Sequence, residues 1–332
     1  MVKQYKVKVE KIIPQTSDTN AYVLVPVAES DGLFDYDVGQ FYMLEAGLTR
    51  QNREGKDVQE TDKRAYSIVS NPLNREYVEL LIKVDFPRKD WENKSAEEHK
   101  ELRPPFAEYF MEQYKAGDEC FLIGPNGRFL KPVFDNNEEY VAYWYSGSGI
   151  PSGLSLCEYV LQKGLRKKII LFGSNKTVQD VIYHERIKKL VESSASAMRF
   201  VCTLTRENIV EIPQSIGNTI IYRTGRFWSG NENTFQKYAG SDATKYHHAI
   251  CGSSSFISGT TRSRKDGRMM KGICKKETCR KEFASVRDRS GNLIKTCDNC
   301  GGEIEAFKGI KDKLIEVGVE EKSIEIDQFY LH

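Results

Sequence analysis

The sequence predicts a chain in two parts, a β-rich region followed by an α/β region with a doubly wound parallel sheet. Strand-like runs separated by turn signals follow one another up to about residue 130. From Val141 onward, strand and helix patterns alternate, as they do in parallel sheets covered by helices. A polar stretch with four cysteines interrupts this alternation. The predicted boundaries are 1–135 for the first domain, 140–259 with 306–332 for the second, and 260–305 for an inserted module.

Length and charge narrow the possible functions. With 332 residues, the chain is long enough to form two domains with separate cores. Its formal net charge of +2 argues against a nucleic-acid polyanion or a membrane surface as the partner of the whole chain. No apolar run approaches the length of a membrane span, and residues Met1–Lys6 lack the apolar core of a signal peptide. A cytoplasmic protein is therefore expected.

In the β-rich region, short runs of branched and aromatic residues predict the strands. These runs are Tyr5–Val9, Ala21–Val25, Val38–Leu44 and Tyr77–Val84. Residues 50–63 are predicted to form a charged loop, and residues 85–103 a second polar segment with a short helix at 95–101. Two prolines precede Phe106–Met111, which is a favourable place for a helix to begin.

The α/β region begins after a predicted linker at Lys131–Glu139. The continuous apolar run Val141–Tyr145 is typical of a buried parallel strand. A glycine-rich loop and a helical pattern through Leu161 come next. The other predicted strands are Lys168–Phe172, Arg199–Thr203, His247–Cys251 and Ser323–Asp327, and the other predicted helices are Thr177–Ser193 and Phe307–Val317.

The stretch Arg64–Pro72 contains a candidate ligand site. Because side chains alternate between the two faces of a strand, Arg64 and Tyr66 are expected on one face. An arginine fork and the hydroxyl of Ser67 suit a phosphate group, and the ring of Tyr66 suits a planar heterocycle. An edge strand with one exposed arginine is the alternative interpretation of the same residues.

A glycine-rich loop, Gly147–Gly153, follows a predicted strand and opens a predicted helix, which is the context of a dinucleotide-binding loop. Glycines let the backbone approach a pyrophosphate, and the helix N-terminus supplies N–H donors. The spacing is G-x-G-x-x-x-G rather than G-x-G-x-x-G, and no acidic residue ends the next strand, where Gly173–Asn175 stands. An ordinary strand–helix turn is therefore the alternative.

Six motifs, in order, resemble those of the ferredoxin–NADP(+) reductase superfamily over nearly all of the chain outside residues 260–305. On the flavin side, Gly39–Phe41 resembles the family motif Gly-Gln-Phe/Tyr, Arg64–Ser67 resembles Arg-x-Tyr-Ser/Thr, and Gly124–Phe129 resembles Gly-Pro-x-Gly-x-Phe. On the nicotinamide side, Gly147–Ser152 resembles Gly-Thr-Gly-Ile-Ala-Pro, and Cys251–Gly252 resembles the late Cys-Gly pair. Near the end of the chain, Asp327–Phe329 resembles the acidic-x-aromatic element. Any one of these matches is weak, whereas six in the right order form a specific signal.

The resemblance implies an antiparallel β-barrel that binds flavin, followed by a domain that binds NAD(P). It implies an enzyme, an NAD(P)H-dependent flavoprotein reductase. In such enzymes the flavin exchanges a hydride with the nicotinamide and exchanges electrons singly with a protein carrier such as ferredoxin or flavodoxin. The protein positions the flavin, and the flavin carries out the chemistry.

The resemblance also assigns roles to individual residues. Cys251 would lie near the nicotinamide as a packing and electrostatic group, Asp327 would lie close to the reactive centre, and Phe329 or Tyr330 would cover one face of the flavin. The residues implied on the flavin side are Arg64 and Ser67 at phosphate or ribityl groups, Tyr66 on the ring, and Lys83, Phe106 and Ala107. Those implied on the nicotinamide side are Gly147, Ser148, Gly149, Ile150 and Arg206.

Two positions bear on the choice of cofactors. The family often has a serine at a helix start that holds the flavin pyrophosphate, and Ala107 removes that hydroxyl here. Because helix N–H groups can still bind phosphate, FAD is expected and FMN is the less favoured alternative. Arg206 after Thr205 resembles the Ser-Arg pair that serves NADP, which favours NADP(H) over NAD(H), although Asn175 stands where many relatives have another arginine.

The eight cysteines fall into two groups. Cys120, Cys157, Cys202 and Cys251 lie in apolar runs and are predicted to be buried thiols. The pairs Cys274-x4-Cys279 and Cys297-x2-Cys300 lie 17 residues apart in the polar stretch, a spacing typical of a tetrahedral metal site. Unligated cysteines are the alternative. Zinc ranks first as the metal, a rubredoxin-like iron second and a 2Fe–2S cluster third.

The polar stretch 260–305 is basic, with 12 Lys and Arg residues against 7 Asp and Glu, a charge of +5. It could dock an acidic ferredoxin or flavodoxin.

Two other functions stay open: the reductase component of an oxygenase with iron as an internal relay, and a reductase-like scaffold whose zinc ribbon binds nucleic acid or protein. The basic run Arg262–Lys271 motivates the second, but nucleic acid is not the expected partner. The electron acceptor, the direction of electron flow and the oligomeric state are left open.

Overall fold

The computed structural model describes both large sheets of the protein in full. The described residues are 3–27, 33–51, 56–85, 105–208, 214–217, 219–228, 234–240, 242–258, 260–263, 267–270, 272–274, 279, 282–283, 296–306 and 308–329.

The amino-terminal strands form a six-stranded antiparallel barrel with the order β4-β3-β6-β1-β2-β5. The strands are β1 (Gln4–Thr16), β2 (Thr19–Pro26), β3 (Phe41–Gln51), β4 (Asp57–Ser67), β5 (Val78–Lys83) and β6 (Glu119–Asn126). Beyond β4, Ile68 bridges Leu80 of β5, so the two edges of the sheet meet. The alternation of β1 explains its placement, because Tyr5 and Val7 are buried while Lys6 between them is exposed. The expected barrel is confirmed.

A helix, α1 (Phe106–Gln113), packs against the barrel core. Its buried residues are spaced three and four apart, as expected for a helix with one apolar face. The ring of Phe110 lies 5.1 Å from that of Tyr22 of β2. The predicted helix start at Phe106 is confirmed, whereas the helix predicted at 95–101 lies outside the described residues.

The prediction of a charged loop at residues 50–63 is wrong for most of that segment. β3 extends to Gln51 and β4 begins at Asp57, and the two strands pair along their whole length. Arg50 binds Asp62 across the pair, with Nη2 and Oδ2 2.9 Å apart. Cross-strand ion pairs stabilise this part of the hairpin in place of apolar pairs, so the pattern of apolar residues does not reveal it.

The carboxy-terminal strands form a six-stranded parallel sheet with the order β10-β9-β8-β7-β11-β17. The strands are β7 (Tyr140–Ser146), β8 (Lys168–Asn175), β9 (Met198–Leu204), β10 (Ile220–Thr224), β11 (His247–Ser253) and β17 (Ile324–Phe329). Every pairing in this sheet is parallel. Residues Val141–Tyr145 of the central strand are all buried, because helices or the barrel cover both faces.

Helices cover both faces of the parallel sheet. On the face toward the barrel lie α3 (Pro151–Gln162) and α4 (His184–Ser193), and on the other face lie α5 (Thr234–Ala239) and α7 (Ile310–Glu316). The predicted doubly wound α/β architecture is therefore confirmed. None of the helices in the described ranges has the length and apolar character that crossing a membrane requires.

Several local predictions differ from the structure. The single helix predicted at Thr177–Ser193 is a short 3₁₀ turn, Val178–Asp180, followed by α4. Asp180 closes the first turn by accepting hydrogen bonds from Thr177, and Tyr183, with φ of 57°, separates the two pieces. The predicted linker contains a short helix, α2 (Lys131–Asp135), and both β10 and α5 were missed.

The polar stretch with the cysteines connects β11 to β17. It begins after α6 (Ser254–Ser258) and contains the small strands β12 (Thr260–Ser263), β13 (Gly267–Met270), β14 (Gly272–Cys274), β15 (Glu282–Phe283) and β16 (Ile304–Ala306). β12 pairs with β13, and β14 pairs with both β15 and β16, all antiparallel. These strands form two small sheets separate from the parallel sheet.

A partly buried ion-pair network joins the barrel to the helices of the parallel sheet. Glu79 of β5 accepts hydrogen bonds from Tyr183 Oη at 2.7 Å and from Arg186 Nη1 at 2.9 Å. Arg186 also binds Glu158 of α3 through two further N–H groups. Apolar residues of the barrel share one core cluster with β7 and α3. The barrel therefore packs against the parallel sheet through a continuous interface.

Candidate active site

The glycine-rich loop after β7 is pressed against the end of β11. A Cβ on Gly149 would lie 2.4 Å from the carbonyl oxygen of Cys251, a distance that only glycine avoids. Tyr143 Oη donates a hydrogen bond to the Gly149 carbonyl at 2.8 Å, and Gly147 has φ of 49°. Ile150 precedes α3, whose first residue is Pro151. The candidate residues from Gly147 to Ile150 thus form a tight turn between a strand end and a helix N-terminus, where a pyrophosphate can approach the backbone.

Ser67, Cys251 and Asp327 converge where the barrel meets the carboxyl edge of the parallel sheet. Cys251 and Asp327 are paired residues on the neighbouring strands β11 and β17. Asp327 Oδ2 accepts hydrogen bonds from Ser67 Oγ at 3.5 Å and from Cys251 Sγ at 3.6 Å. These three residues, far apart in the sequence, therefore share one carboxylate oxygen.

Burial raises the pKa of two members of this trio, Asp327 and Cys251. Burial raises the pKa of Asp327 above its ordinary value, and the hydrogen bonds from Cys251 and Ser67 oppose that rise. Burial also raises the pKa of the Cys251 thiol well above its usual range, and the nearby Asp327 adds to the effect. Cys251 is therefore a protonated thiol at neutral pH, which suits packing rather than nucleophilic attack. The raised pKa makes the Asp327 carboxylate easier to protonate than an exposed aspartate.

Arg64, Tyr66 and Phe106 form a second cluster on the barrel. The guanidinium of Arg64 lies 5.7 Å from the centre of the Phe106 ring, and its Nη1 binds Asp62 Oδ1 at 2.6 Å. The Tyr66 ring lies 6.2 Å from the Phe106 ring. Phe106 is the first residue of α1 and Ala107 the second, so the arginine stands beside a helix N-terminus. A cation and the N–H groups at a helix N-terminus together suit a phosphate.

Asp62 is a residue of this cluster that the sequence analysis missed. The Arg64 and Arg50 guanidinium groups lie on either side of its carboxylate, at 2.6 and 2.9 Å. Arg50 is buried and lies over the ring of Tyr109. Asp62 therefore fixes the direction of Arg64. Its position two residues before Arg64 on the same strand face is the sequence signal that could have identified it.

Lys83 is placed differently from the other flavin-side candidates. Its Nζ binds Asp18 Oδ2 at 2.5 Å and Thr19 Oγ1 at 3.5 Å, where β1 turns into β2. Burial is the largest single effect on the pKa of Asp18 and raises it. The hydrogen bond from Lys83 acts in the opposite direction, and the pKa of Asp18 is lowered overall. The described contacts of Lys83 thus join it to a strand turn and not to Arg64 or Ser67.

Arg206 lies beyond the carboxyl end of β9, where its backbone is tied to the end of β8. Its N–H donates to the Lys176 carbonyl at 2.8 Å, and the N–H of Thr205 donates to the Asn175 carbonyl at 2.9 Å. The Asn175 side chain is buried and points toward Cys202 Sγ, 3.6 Å away. Asn175 therefore acts as a support for the loop, whereas Arg206 is exposed at the edge of the sheet.

Phe329 is the last residue of β17 and pairs with Ser253 of β11, next to Asp327 and Cys251 along the same two strands. Its side chain and Tyr330 lie outside the described part of the chain. The backbone therefore places Phe329 at the same edge of the sheet as the trio.

Three of the four candidate metal ligands lie together. The Sγ atoms of Cys279, Cys297 and Cys300 are all within 4.8 Å of one another. Cys274 ends β14, and its side chain lies outside the description. The cysteines in apolar runs, Cys120, Cys157, Cys202 and Cys251, are buried and free, as predicted.

No protein-family model matches the chain, and no curated protein matches it by sequence. Solved structures match it clearly. The flavohem-like FAD/NAD binding domain of nitric oxide dioxygenase from Vibrio cholerae has a TM-score of 0.61 at 13% identity, covering 98% of each chain. The cytochrome b5 reductase domain of Ulva prolifera nitrate reductase has a TM-score of 0.55 at 15% identity, covering 76% of this chain and 88% of that one.

A ferredoxin NADP+ reductase from Neisseria gonorrhoeae, solved with bound FAD and NADP, has a TM-score of 0.52 at 19% identity. The match covers 76% of this chain and 87% of that chain. These structures share a barrel followed by a parallel sheet with the chain described above. The chain therefore has the two-domain fold of the ferredoxin–NADP(+) reductase-like flavin- and NAD-binding proteins.

Proposed function

We propose that the protein is a flavin-dependent oxidoreductase that moves electrons between NADPH and a one-electron protein carrier, a ferredoxin or a flavodoxin. The observation that carries the proposal is the convergence of Ser67 on Asp327, 3.5 Å apart, beside Cys251. Each of these residues belongs to a different motif of the chain, and all three motifs resemble motifs of the ferredoxin–NADP(+) reductase superfamily. They meet between the barrel and the sheet edge, where a flavin on one side and a nicotinamide on the other would face each other.

The residues on the barrel fit a flavin. Arg64 and the N-terminus of α1 would bind phosphate, since they combine a cation with N–H donors. Tyr66 would pack against the flavin ring. We propose FAD rather than FMN because the arginine and the helix N-terminus together offer contacts to two phosphate groups, even though Ala107 supplies no hydroxyl. Lys83 is the weakest of the flavin-side candidates, since Asp18 already binds it.

A bound flavin supplies two-electron exchange with a nicotinamide and one-electron exchange with a protein carrier. The residues of the chain position it and control the protons around it. Ser67 Oγ would contact the flavin from the barrel side, and Asp327, whose pKa is raised by burial, would accept a proton more readily than an exposed aspartate. Cys251 would exclude water as a neutral thiol, and Phe329 would cover the remaining ring face.

On the nicotinamide side, the turn from Gly147 to Ile150 would receive the pyrophosphate, and Arg206 would bind the ribose 2′-phosphate that distinguishes NADP from NAD.

An Arg206→Leu substitution should lower kcat/KM for NADPH about 10- to 100-fold, the effect of one hydrogen bond to a charged group. Activity with NADH should not change. Lys168→Leu, at the opposite end of β8, is the matched control. Equal losses with both cofactors would exclude this role for Arg206.

The proposed cofactors also include one zinc ion held by Cys274, Cys279, Cys297 and Cys300, with iron as the alternative. Three of these thiols already lie together. The proposed domain division, with residues 260–305 as an inserted module, places this metal outside both cofactor domains. With four thiolates and a zinc ion the basic stretch would keep a positive charge, since its formal charge is +5 before metal binding.

A positive module would attract an acidic electron carrier. A coupled assay tests the partner: NADPH, the protein and an acidic 2Fe–2S ferredoxin are mixed with cytochrome c, and reduction of cytochrome c is followed. We expect the rate to depend on the ferredoxin and to fall as salt rises, because salt screens charge attraction. A rate that neither ferredoxin nor flavodoxin increases would exclude both as carriers.

A further inference from the structure

The two ends of the stretch that carries the cysteines lie against each other beside the parallel sheet. Gly309, just before α7, packs its backbone directly against the end of α6. A Cβ at Gly309 would lie 2.3 Å from the carbonyl carbon and oxygen of Ile257 and from the nitrogen of Ser258. The Gly309 N–H donates to Asp312 Oδ2 at 3.2 Å, which fixes the start of α7. The two ends of the stretch therefore touch, as expected for a unit inserted into a finished fold.

The spacing of the thiols is that of metal ligands. Cys279 Sγ and Cys297 Sγ lie 3.7 Å apart. Two thiolates at about 2.3 Å from one tetrahedral zinc ion would be about 3.8 Å apart. A disulfide would bring its sulfur atoms to about 2.05 Å, and Cys279 and Cys297 are not in a disulfide. Cys300 completes a group whose sulfur atoms all lie within 4.8 Å of one another.

The backbone around Cys297 and Cys300 forms a tight turn that brings both thiols to one point. The Gly301 N–H donates to the Cys297 carbonyl at 2.8 Å, and the Cys297 N–H donates to the Gly302 carbonyl at 2.7 Å. Gly301 has φ of 67°, a conformation that favours glycine. This turn belongs to a short hairpin, since Thr296 bridges Glu303. Cys-x2-Cys-Gly turns of this kind hold zinc in small metal-binding modules.

The topology brings Cys274 to the same hairpin. Cys274 ends β14 and pairs with Ile304, the first residue of β16. β16 follows Cys300 after three intervening residues, so the end of β14 lies beside the strand that leaves the cysteine turn. Cys274 is thus the cysteine whose backbone position allows it to supply the fourth ligand.

We propose that Cys274, Cys279, Cys297 and Cys300 bind one zinc ion as thiolates, and that this zinc folds the inserted module without taking part in the flavin reaction. Zinc has no redox chemistry, and the module is too small to be stable through its own core. The contact between Ile257 and Gly309 closes the base of the module, so its folding is separable from that of the sheet. The second half of this inference rests on the proposed function, whereas the zinc site does not.

Metal analysis of the full-length protein tests the site. We expect one zinc per chain, and lower zinc content with Cys274→Ser, Cys279→Ser, Cys297→Ser or Cys300→Ser. Cys120→Ser, in the barrel core, should retain the metal. A chelator competition with the wild-type protein gives the zinc affinity even if a variant fails to fold. Iron in place of zinc, or full zinc affinity in Cys274→Ser, would overturn the assignment.

Removal of zinc tests the separation of the module. The wild-type protein is stripped with EDTA and 1,10-phenanthroline and then treated with trypsin. Cleavage within 260–305 should become at least about tenfold faster, because metal binding supplies the folding free energy of such modules. Added zinc should restore protection. The rate of ferricyanide reduction by NADPH, per bound flavin, should change less than twofold.

The two claims fail in different ways. A ferricyanide rate that falls in step with zinc loss would overturn the separation while leaving the site in place. Unchanged trypsin cleavage after zinc removal would overturn the structural role of the metal. If the zinc-loaded protein shows no reaction with NADPH, the proposed function fails, and the zinc content and the proteolysis still decide the site.

Discussion

Glu325 of β17 accepts a hydrogen bond from the backbone N–H of Leu130, in the segment that connects the barrel to the parallel sheet. The two atoms are 3.2 Å apart, and the same Glu325 oxygen accepts a hydrogen bond from His247 Nε2 at 3.0 Å. Leu130 is fully buried and has φ of 67°, a conformation that costs about 1–2 kcal/mol for a residue with a side chain. Glu325 and Asp327 lie on the same face of β17. One carboxylate holds the connecting segment, and the other contacts Ser67 of the barrel.

Removing the Glu325 carboxylate should slow flavin reduction by NADPH. Glu325→Ala removes the hydrogen bonds from β17 to Leu130 and His247, and we expect Asp327, two residues further along the strand, to be positioned less precisely against Ser67. We expect the rate to fall about 10- to 100-fold, the usual effect of a misplaced reacting group. Glu325→Gln keeps an acceptor oxygen and should recover most of the rate. Stopped-flow absorption measures the rate of flavin reduction. Glu320→Ala, at an exposed surface pair, is the control and should have no effect.

Adding one methyl group at Gly149 should impair NADPH binding. The Cβ of alanine would meet the Cys251 carbonyl oxygen at 2.4 Å, and neither backbone can move without displacing the turn. We expect Gly149→Ala to raise KM for NADPH at least about tenfold. Gly47→Ala is the matched control, because no atom lies within 4 Å of its added Cβ. Unchanged NADPH kinetics in Gly149→Ala would show that the turn is not part of the nucleotide site.

Breaking the ion pair between Arg186 and the buried Glu79 should destabilise the protein strongly. Arg186→Met leaves the Glu79 carboxylate buried with only Tyr183 as a hydrogen-bond donor among the described contacts. The free energy of unfolding should fall by about 3–5 kcal/mol. Lys188→Met, which removes an exposed pair with Glu185 on the same helix, should cost about 0.5 kcal/mol or less. Urea unfolding compares the two variants, and equal losses would contradict the prediction.

His248 should make the stability depend on pH below neutrality. It is fully buried, accepts a hydrogen bond from Trp144 Nε1 at 3.1 Å and donates one to the Ala243 carbonyl at 2.9 Å. Burial lowers its pKa from 6.5 to about 4. The unfolded chain therefore binds a proton that the folded chain excludes, so stability falls as pH drops from about 6.5 to about 4, by up to about 3 kcal/mol.

Urea unfolding across this pH range tests the role of His248. His248→Gln is itself destabilised, because its partners lose their geometry, but its stability should change less with pH than that of the wild type. The quantity to compare is therefore the slope of the unfolding free energy against pH. Equal slopes for the two proteins would contradict the assignment of this proton to His248.

The sequence predicted the fold where local patterns determine it. Fully apolar runs such as Val141–Tyr145 identify the buried parallel strands, and the turn motifs place the candidate residues at strand ends. The hairpin of β3 and β4 was missed because charged residues such as Arg50 and Asp62 stabilise it across the strands. β10 was missed because it is an edge strand in which only Ile220 and Tyr222 are buried, so it lacks the continuous apolar run of the central strands.

Contacts between distant residues could not be predicted from local patterns. Arg186 and Glu79 are separated by 107 residues, and Glu325 and Leu130 by 195. Nothing in the residues around either partner indicates the other, because each pair exists only once the barrel has packed on the sheet. The meeting of Ser67 with Asp327 was implied by the family resemblance and not by spacing. The positions of Asp62 and Glu325 beside the site follow from strand alternation once their strands are known.

Anaerobic addition of NADPH to the purified protein tests most directly whether it is a flavin-dependent reductase. The protein should carry near-stoichiometric flavin, released on heating as FAD, and the visible flavin absorption should bleach when NADPH is added. Asp327→Asn should retain the flavin and bleach more slowly. Purified protein that binds neither added FAD nor added FMN, or whose bound flavin keeps its absorption in excess NADPH, would contradict the proposed function.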